Sequence, residues 1–147
     1  MVIDSSFANI SRVILIITIL LVFMSQTQTS FAIDLNPKYT VRITNGFDNN
    51  DYPLIMQCWS HDDDLVYTST LWKTNEWHWQ FHNKFLGRTH FLCNFEHGRK
   101  EKTVDVYDTD QNYLKCTLSK NCNWIVKDDA FYFYNEGEKQ WMGYFLW

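Results

Sequence analysis

The chain has 147 residues, a formal net charge of −4 and four cysteines, and aromatic side chains make up 18% of it. Its basic residues cluster only at Arg99-Lys100 and nearby Lys102, and Glu101 interrupts that group. This pattern excludes a nucleic-acid-binding surface and a surface for anionic membranes, because both need dense cationic patches.

The first segment has the features of a secretory signal peptide. Arg12 precedes an apolar run over residues 13–23, a polar stretch follows, and Ser30 and Ala32 place small residues where a signal peptidase cuts. A membrane-spanning helix needs about 20 apolar residues, and this run has about half of that. We predict a signal peptide over residues 1–32 and one secreted domain over residues 33–147, not inserted in a membrane after cleavage. An uncleaved anchor is the alternative.

The remainder of the chain has the patterns of short strands. Apolar and polar side chains alternate with period two, most clearly in Trp77–His82, and no segment after the signal has a sustained helical period. Eight or nine short strands at this spacing predict an all-β fold, a small antiparallel β-sandwich of about eight strands. The predicted strands cover residues 39–45, 53–59, 65–72, 77–82, 89–95, 103–107, 122–127, 130–134 and 140–147, with 113–116 as a further arm.

The cysteines predict two disulfides, since an even number in a small exported domain indicates covalent cross-links. Three pairings are possible. We favour Cys58–Cys93 with Cys116–Cys122, because residues 117–121 would form the loop of a hairpin between 113–116 and 122–127. The nested pairing, Cys58–Cys122 with Cys93–Cys116, stays open. A zinc site needs two closely spaced cysteine pairs, which this sequence lacks, so we predict no metal there.

An acidic turn follows Cys58, at His61, Asp62, Asp63 and Asp64. Three adjacent carboxylates repel one another and are costly to bury, so the turn is predicted to lie at the surface. A calcium loop would space its ligands at alternating positions and add a distal carboxylate, and that spacing is absent. We therefore predict a solvated turn without a metal.

Five histidines raise the alternative of an enzyme, and they are His61, His78, His82, His90 and His97. His78 and His82 share one face of a predicted strand, but they are four positions apart, which corresponds to about 13 Å along the strand. We place His90 beside them on the neighbouring strand. Because no nucleophile or carboxylate is spaced as a partner, we predict no catalytic residue and no cofactor. A small secreted hydrolase remains an alternative.

The abundant aromatic rings raise a second alternative. Most rings occupy inward positions of the alternating strands and are predicted to form the core. Tyr132 and Tyr134 are predicted to point outward, where rings can stack on sugars. A carbohydrate-binding or cell-wall-binding module therefore remains an alternative.

Five segments, in this order and spacing, resemble the plant self-incompatibility S-protein homologue family. The resemblance covers nearly all of the predicted mature chain. The matching segments are Val41–Asn45, Cys58–Leu65, Trp77–Phe81, Phe91–Phe95 and the stretch from Cys116 through Cys122 to Ile125.

The resemblance implies a small secreted β-sandwich with two disulfides and no catalytic activity. The founding members are stigma proteins that act as ligands for a pollen receptor and cause rejection of self pollen. The resemblance therefore implies a signalling ligand, expected to be a monomer, that binds an unidentified cell-surface receptor. A loop like the acidic turn is implicated in the founding members' activity, so the expected receptor contacts are His61, Asp62, Asp63 and Asp64, with Asp128 and Asp129 as weaker candidates.

Overall fold

A computed structural model of the chain describes residues 4–25, 36–60, 66–111 and 116–147. The chain divides into two compact units, Met1–Asp34 and Leu35–Trp147. In the first unit, helix α1 spans Asp4–Ser25. Within the described ranges, no helix has the length and apolar character needed to cross a membrane. The signal peptide over residues 1–32 stays a prediction, and its expected cleavage site lies outside the described residues.

The described part of the second unit contains nine strands. In most of them the alternating pattern buries one face, as in β1, where Tyr39, Val41 and Ile43 are fully buried. The strands are β1 (Lys38–Asn45), β2 (Leu54–Ser60), β3 (Val66–Leu71), β4 (Glu76–His82), β5 (His90–His97), β6 (Lys100–Asp108), β7 (Asn121–Val126), β8 (Ala130–Asn135) and β9 (Gln140–Leu146).

The strands form two sheets, a five-stranded sheet with the order β4-β1-β7-β8-β9 and a four-stranded sheet with the order β3-β2-β5-β6. Their buried faces share one hydrophobic core. Ring pairs join the sheets across it, for example Phe95 on β5 with Phe131 on β8, whose ring centroids are 5.2 Å apart. The predicted all-β sandwich with two disulfides is confirmed, with nine strands instead of about eight.

Odd-numbered and even-numbered strands run in opposite directions, which gives the sandwich two distinct ends. We call them the His82 end, where β1, β3, β5, β7 and β9 begin, and the Asn45 end, where those strands finish. The neighbours β1 and β7 are both odd-numbered and therefore pair in parallel, with Thr40 opposite Asn121. At this one pair the sandwich departs from the predicted antiparallel arrangement.

The predicted hairpin arm at residues 113–116 does not pair with the second half of β7. Over Trp124–Val126, β7 pairs with β1 on one side and β8 on the other, so these residues have no edge left for a hairpin partner. Cys116 lies in a turn, and residues 113–115 lie outside the described residues.

The structure contains the disulfides Cys58–Cys93 and Cys116–Cys122, the pairing favoured above. Cys58 and Cys93 lie directly opposite each other on β2 and β5, and their Cα atoms are 4.0 Å apart. All four cysteines are fully buried. The first bridge therefore ties together the two central strands of the smaller sheet.

A β-bulge on β6 connects the two sheets through a hydrogen bond. Phe91 lies opposite Tyr107 and Leu92 lies opposite Asp105, so Val106 is an extra residue in the ladder. The Val106 carbonyl accepts a hydrogen bond from the indole Nε1 of Trp124, at 2.9 Å. Trp124 belongs to β7 in the other sheet and is 1% exposed. The bulge thus gives the largest fully buried side chain its polar partner.

Candidate functional site

The two acidic turns predicted as receptor contacts attach to opposite ends of the sandwich. His61, Asp62, Asp63 and Asp64 lie outside the described residues. Their segment leaves β2 at Ser60 and enters β3 at Val66, both at the His82 end. Asp128 and Asp129 connect β7 to β8 at the Asn45 end. The described residues that flank the two turns therefore lie at opposite ends of the sandwich.

The carboxylates of the second acidic turn already have partners within the chain. Asp128 is 80% exposed and accepts a hydrogen bond from Lys100 Nζ at 2.6 Å. Asp129 accepts a hydrogen bond from the Tyr132 hydroxyl, which lowers the pKa of Asp129 and raises the pKa of Tyr132. A partner protein would have to compete with these contacts, so this turn is the weaker recognition candidate.

The Asn45 end is closed by an aromatic cluster around His97. The His97 ring stacks on Phe47, with centroids 3.5 Å apart, and meets the Tyr52 ring edge-on. His97 is 8% exposed, and its Nε2 has no hydrogen-bond partner among the described residues. Burial lowers the pKa of His97 below its ordinary value of 6.5, and the charge of Lys100 acts in the same direction.

This lowered pKa predicts a loss of stability in weak acid. Below pH 6.5 the unfolded histidine binds a proton that the folded one resists, so the free energy of unfolding should fall as the pH drops toward the folded pKa. Thermal unfolding at pH 7.5 and pH 5.0 measures the effect. A His97→Phe variant, which keeps a ring against Phe47, should show a smaller difference between the two pH values. An equal difference in both proteins would contradict the prediction.

At the His82 end, residues 83–89 pass from β4 in one sheet to β5 in the other. Three hydrogen bonds fix this segment. The Tyr107 hydroxyl donates to Asn83 Oδ1 at 2.8 Å, the Lys84 backbone N–H donates to Thr89 Oγ1 at 3.0 Å, and the Thr109 N–H donates to the Thr89 carbonyl at 3.0 Å. The segment is therefore attached to the end of β6 as well as to its own strands.

A two-pronged ion pair adds to this attachment. Arg88 Nε donates to Asp108 Oδ1 at 2.7 Å, and Arg88 Nη2 donates to Asp108 Oδ2. Asp108 is fully buried and also accepts the Asp110 backbone N–H at 3.0 Å. The hydrogen bond from Arg88 is the main reason that the pKa of Asp108 is lowered. Asp108 is the buried last residue of β6 and lies one position beyond the predicted strand 103–107.

Between these attachments the segment presents two apolar side chains to solvent. Phe85 is 95% exposed and Leu86 is 84% exposed. Gly87 follows with φ +113°, a backbone conformation that side-chain-bearing residues rarely adopt. Phe85 also borders an open cleft of about 750 Å³, which Pro37, Tyr39 and others line from the β1 side.

Residues 83–87 lie between the predicted strands 77–82 and 89–95, and this exposed apolar pair was not predicted from the sequence. The available signal was composition: turns are usually built from Gly, Pro, Asn, Asp and Ser, and two large apolar residues in one are unusual.

The described histidines are spread over the molecule. His78 and His82 lie on β4, at the edge of the larger sheet, and His82 Nδ1 is 2.9 Å from the Asn36 carbonyl. His90 does not flank them, because β5 belongs to the other sheet. Its Nε2 instead lies 2.6 Å from Asp105 Oδ1. His97 is at the opposite end.

Among the described residues, no group of three or more His, Cys, Asp or Glu side chains is placed to hold a metal ion. The close pair of His90 with Asp105 has no third such ligand in the described part of the chain, and a stable metal site needs one.

The two tyrosines predicted to face outward, Tyr132 and Tyr134, are both half-buried. Lys127 Nζ lies 5.3 Å from the centre of the Tyr132 ring, and the Tyr134 ring meets Trp141 at an interplanar angle of 65°. The rings therefore form local contacts within the sheet surface and do not combine into one flat platform.

Comparison with known proteins gives consistent matches. The family model described as "Plant self-incompatibility protein S1" matches residues 40–147. Three similar curated proteins come from Arabidopsis thaliana. "S-protein homolog 27" is 34% identical over 67% of this chain and 64% of its own length, and "S-protein homolog 24" is 32% identical over the same shares. "S-protein homolog 3" is 30% identical over 78% of this chain and 76% of its own length.

The chain thus spans about 64% of the length of the first two of these relatives. No solved structure matches the chain.

Proposed function

This chain belongs to the plant self-incompatibility protein S1 family, and from that premise we propose that it is a secreted, non-enzymatic signalling ligand. Its partner is a cell-surface receptor protein, which it meets as a monomer through surface loops. It binds no nucleic acid and needs no cofactor. The two disulfides support export, because such bonds persist mainly in oxidising compartments.

The observation that carries the proposal is the way the smaller sheet holds the acidic turn. Cys58 lies two residues before the end of β2 and is bonded to Cys93 on β5. The strand that leads into the acidic segment is therefore fixed covalently to the centre of the sheet. Binding residues are commonly found on loops that a rigid scaffold positions. We assign Asp62, Asp63 and Asp64, with His61, as the main receptor contacts.

The placement of the histidines favours this proposal over a hydrolase. Nucleophilic catalysis by a histidine needs a nucleophile, the histidine and an orienting group within hydrogen-bond reach of one another. The described histidines occupy two different sheets and both ends of the sandwich, and the His90–Asp105 pair supplies only two of these three groups. The ring contacts of Tyr132 and Tyr134 likewise favour a protein ligand over a carbohydrate-binding module, because a sugar needs an accessible ring face.

The acidic turn is tested by neutralising it. We expect an Asp62→Ala/Asp63→Ala/Asp64→Ala variant to bind plant protoplasts at least tenfold more weakly, since a few central residues carry most of the energy of a protein interface. The measurement uses labelled protein expressed from the full chain. Pretreating the cells with trypsin should abolish binding if the receptor is a protein.

The matched control is Asp128→Ala/Asp129→Ala, which removes two carboxylates at the opposite end and should bind within about twofold of the unaltered protein, since exposed acidic residues away from an interface contribute little. Thermal unfolding of both variants establishes that they fold. If the triple variant folds and binds as tightly as the unaltered protein, the acidic turn is not the contact.

A further inference from the structure

Phe85 and Leu86 are unusually exposed for large apolar side chains. At 95% and 84% they exceed the next most exposed in the described part of Leu35–Trp147, Leu118 at 78% and Leu146 at 73%. They are also adjacent in sequence, so they form one apolar projection. A soluble protein gains nothing in stability from such a projection, because its apolar surface stays in water.

The projection is held in position from both sides. Asn83 and Lys84 are hydrogen-bonded on one side of it, and on the other side Arg88 makes its two-pronged contact with the buried Asp108. Ordering the loop beforehand reduces the conformational entropy that is lost when a partner binds. The two side chains are thus presented in the manner of a preorganised binding anchor.

The open cleft lies beside Phe85. This end of the molecule therefore has a concave surface next to the projecting side chains of Phe85 and Leu86. Pro37 and Tyr39 line it from β1 and the residues before it, His82 from the end of β4, and Thr109 from the residue after β6. A partner that receives the projection can place a side chain of its own in this cleft. Interlocking of this kind is typical of the centre of protein interfaces.

We propose that Phe85 and Leu86 are the apolar anchor by which this chain binds a partner protein, an inference that rests on the proposed ligand function. The partner carries an apolar pocket large enough for a phenyl ring and an isobutyl group. Its rim is acidic where it meets Lys84; the other cation of the segment, Arg88, is already paired with Asp108 and Asp110. The receptor of the proposed function is the occupant that meets this description.

The charges of the molecule favour a protein over a lipid surface. The chain carries a net charge of −4, so an anionic membrane would repel it. Two side chains are also too little for a neutral bilayer, since even a single myristoyl chain binds only marginally.

The same charges disfavour a second copy of this chain as the occupant. In a twofold-symmetric contact each residue near the axis meets its own counterpart, so the cationic Lys84 of one copy would face Lys84 of the other. A foreign protein with an acidic rim avoids this repulsion.

The test compares a Phe85→Ser/Leu86→Ser variant with Leu118→Ser, which removes a similarly exposed leucine from another loop at the same end. Labelled protein expressed from the full chain is titrated onto plant protoplasts, with and without trypsin pretreatment, and onto protein-free vesicles of phosphatidylcholine and phosphatidylglycerol. We expect the double variant to lose at least tenfold in affinity for the cells while Leu118→Ser stays within twofold. Lys84→Glu, which keeps the apolar pair, should lose several-fold.

Each other outcome overturns the inference. Equal cell binding by the double variant and the unaltered protein overturns it and leaves the proposed function intact. Binding to the vesicles that depends on Phe85 and Leu86 would make the occupant a lipid. Self-association in sedimentation velocity that the double variant abolishes would make it a second copy. If the unaltered protein shows no trypsin-sensitive cell binding, the proposed function itself fails.

Discussion

Replacing Cys58 and Cys93 by alanine is expected to lower the free energy of unfolding by about 4 kcal/mol. The bridge closes a loop with a sequence separation of 35, and chain-entropy arithmetic gives about that value for a loop of this size. The Cys116–Cys122 bridge, with a separation of 6, gives about 2 kcal/mol by the same relation. Since domains of this size have total stabilities of about 5–15 kcal/mol, losing the longer bridge removes a large share.

Urea unfolding of the two double-alanine variants, each expressed from the full chain, measures this difference. The Cys116→Ala/Cys122→Ala protein is the internal control, because it also loses one disulfide and two buried sulfurs. The expected ranking is a much lower midpoint for Cys58→Ala/Cys93→Ala. A larger loss from the shorter loop would show that loop size does not govern the effect in this protein.

Truncating Trp124 to alanine is expected to cost about 3–5 kcal/mol, the range for large aromatic residues in a packed core. Trp124 is 1% exposed and packs against Phe133 and Phe145. Its indole also donates the hydrogen bond to the Val106 carbonyl, so removing it leaves a buried acceptor on the bulge without its partner. Trp124→Phe keeps most of the ring but loses this donor, and we expect an intermediate cost that includes about 1–3 kcal/mol for the unpaired carbonyl.

Denaturant unfolding of Trp124→Ala and Trp124→Phe measures the loss in the free energy of unfolding for each variant. Trp72→Ala is the matched control, because Trp72 is 47% exposed and its loss should change stability by no more than about 0.5 kcal/mol. Equal costs for the alanine variants at positions 72 and 124 would contradict the role assigned to the buried indole.

The sequence predicted the strands well because their signal is local. Alternation along the β1 segment identifies Tyr39, Val41 and Ile43 as its buried face without knowledge of any neighbour, and the structure confirms this. The same reasoning placed the rings of Phe91 and Phe95 inward, where they are buried. Each of these predictions depends only on two facts: side chains alternate between the two faces of a strand, and leaving apolar surface in water is unfavourable in free energy.

Pairing between strands was predicted less well because it is not local. Nothing in residues 121–126 indicates that their partner begins at Lys38, more than 80 residues earlier. The short spacing between Cys116 and Cys122 suggested a hairpin, although a disulfide across a turn is compatible with either arrangement. His90 was placed beside His82 for the same reason: adjacency in sequence was taken as adjacency in one sheet.

The candidate site was predicted in part. The three aspartates gave a chemical reason to expect a surface turn, but their position relative to Asp128 and Asp129 depends on strand direction, which the sequence did not reveal. The exposed apolar side chains of residues 83–89 were not predicted. The sequence rules for turns say which residues favour a turn, but they do not say which side chains the turn exposes to solvent. The ion pair of Arg88 with Asp108 was equally hidden, since 20 positions separate the two residues.

The parallel pair of β1 and β7 also constrains the order in which the molecule assembles. The smaller sheet is complete once the chain has been synthesised as far as Asp108. In contrast, β1 lies second in the larger sheet and must wait for β7, whose residues are synthesised after those of the smaller sheet. Closing so long a loop is entropically slow. A chain synthesised as far as Asp108 therefore contains every strand of the smaller sheet, while the flank of β1 that pairs with β7 still has no partner strand.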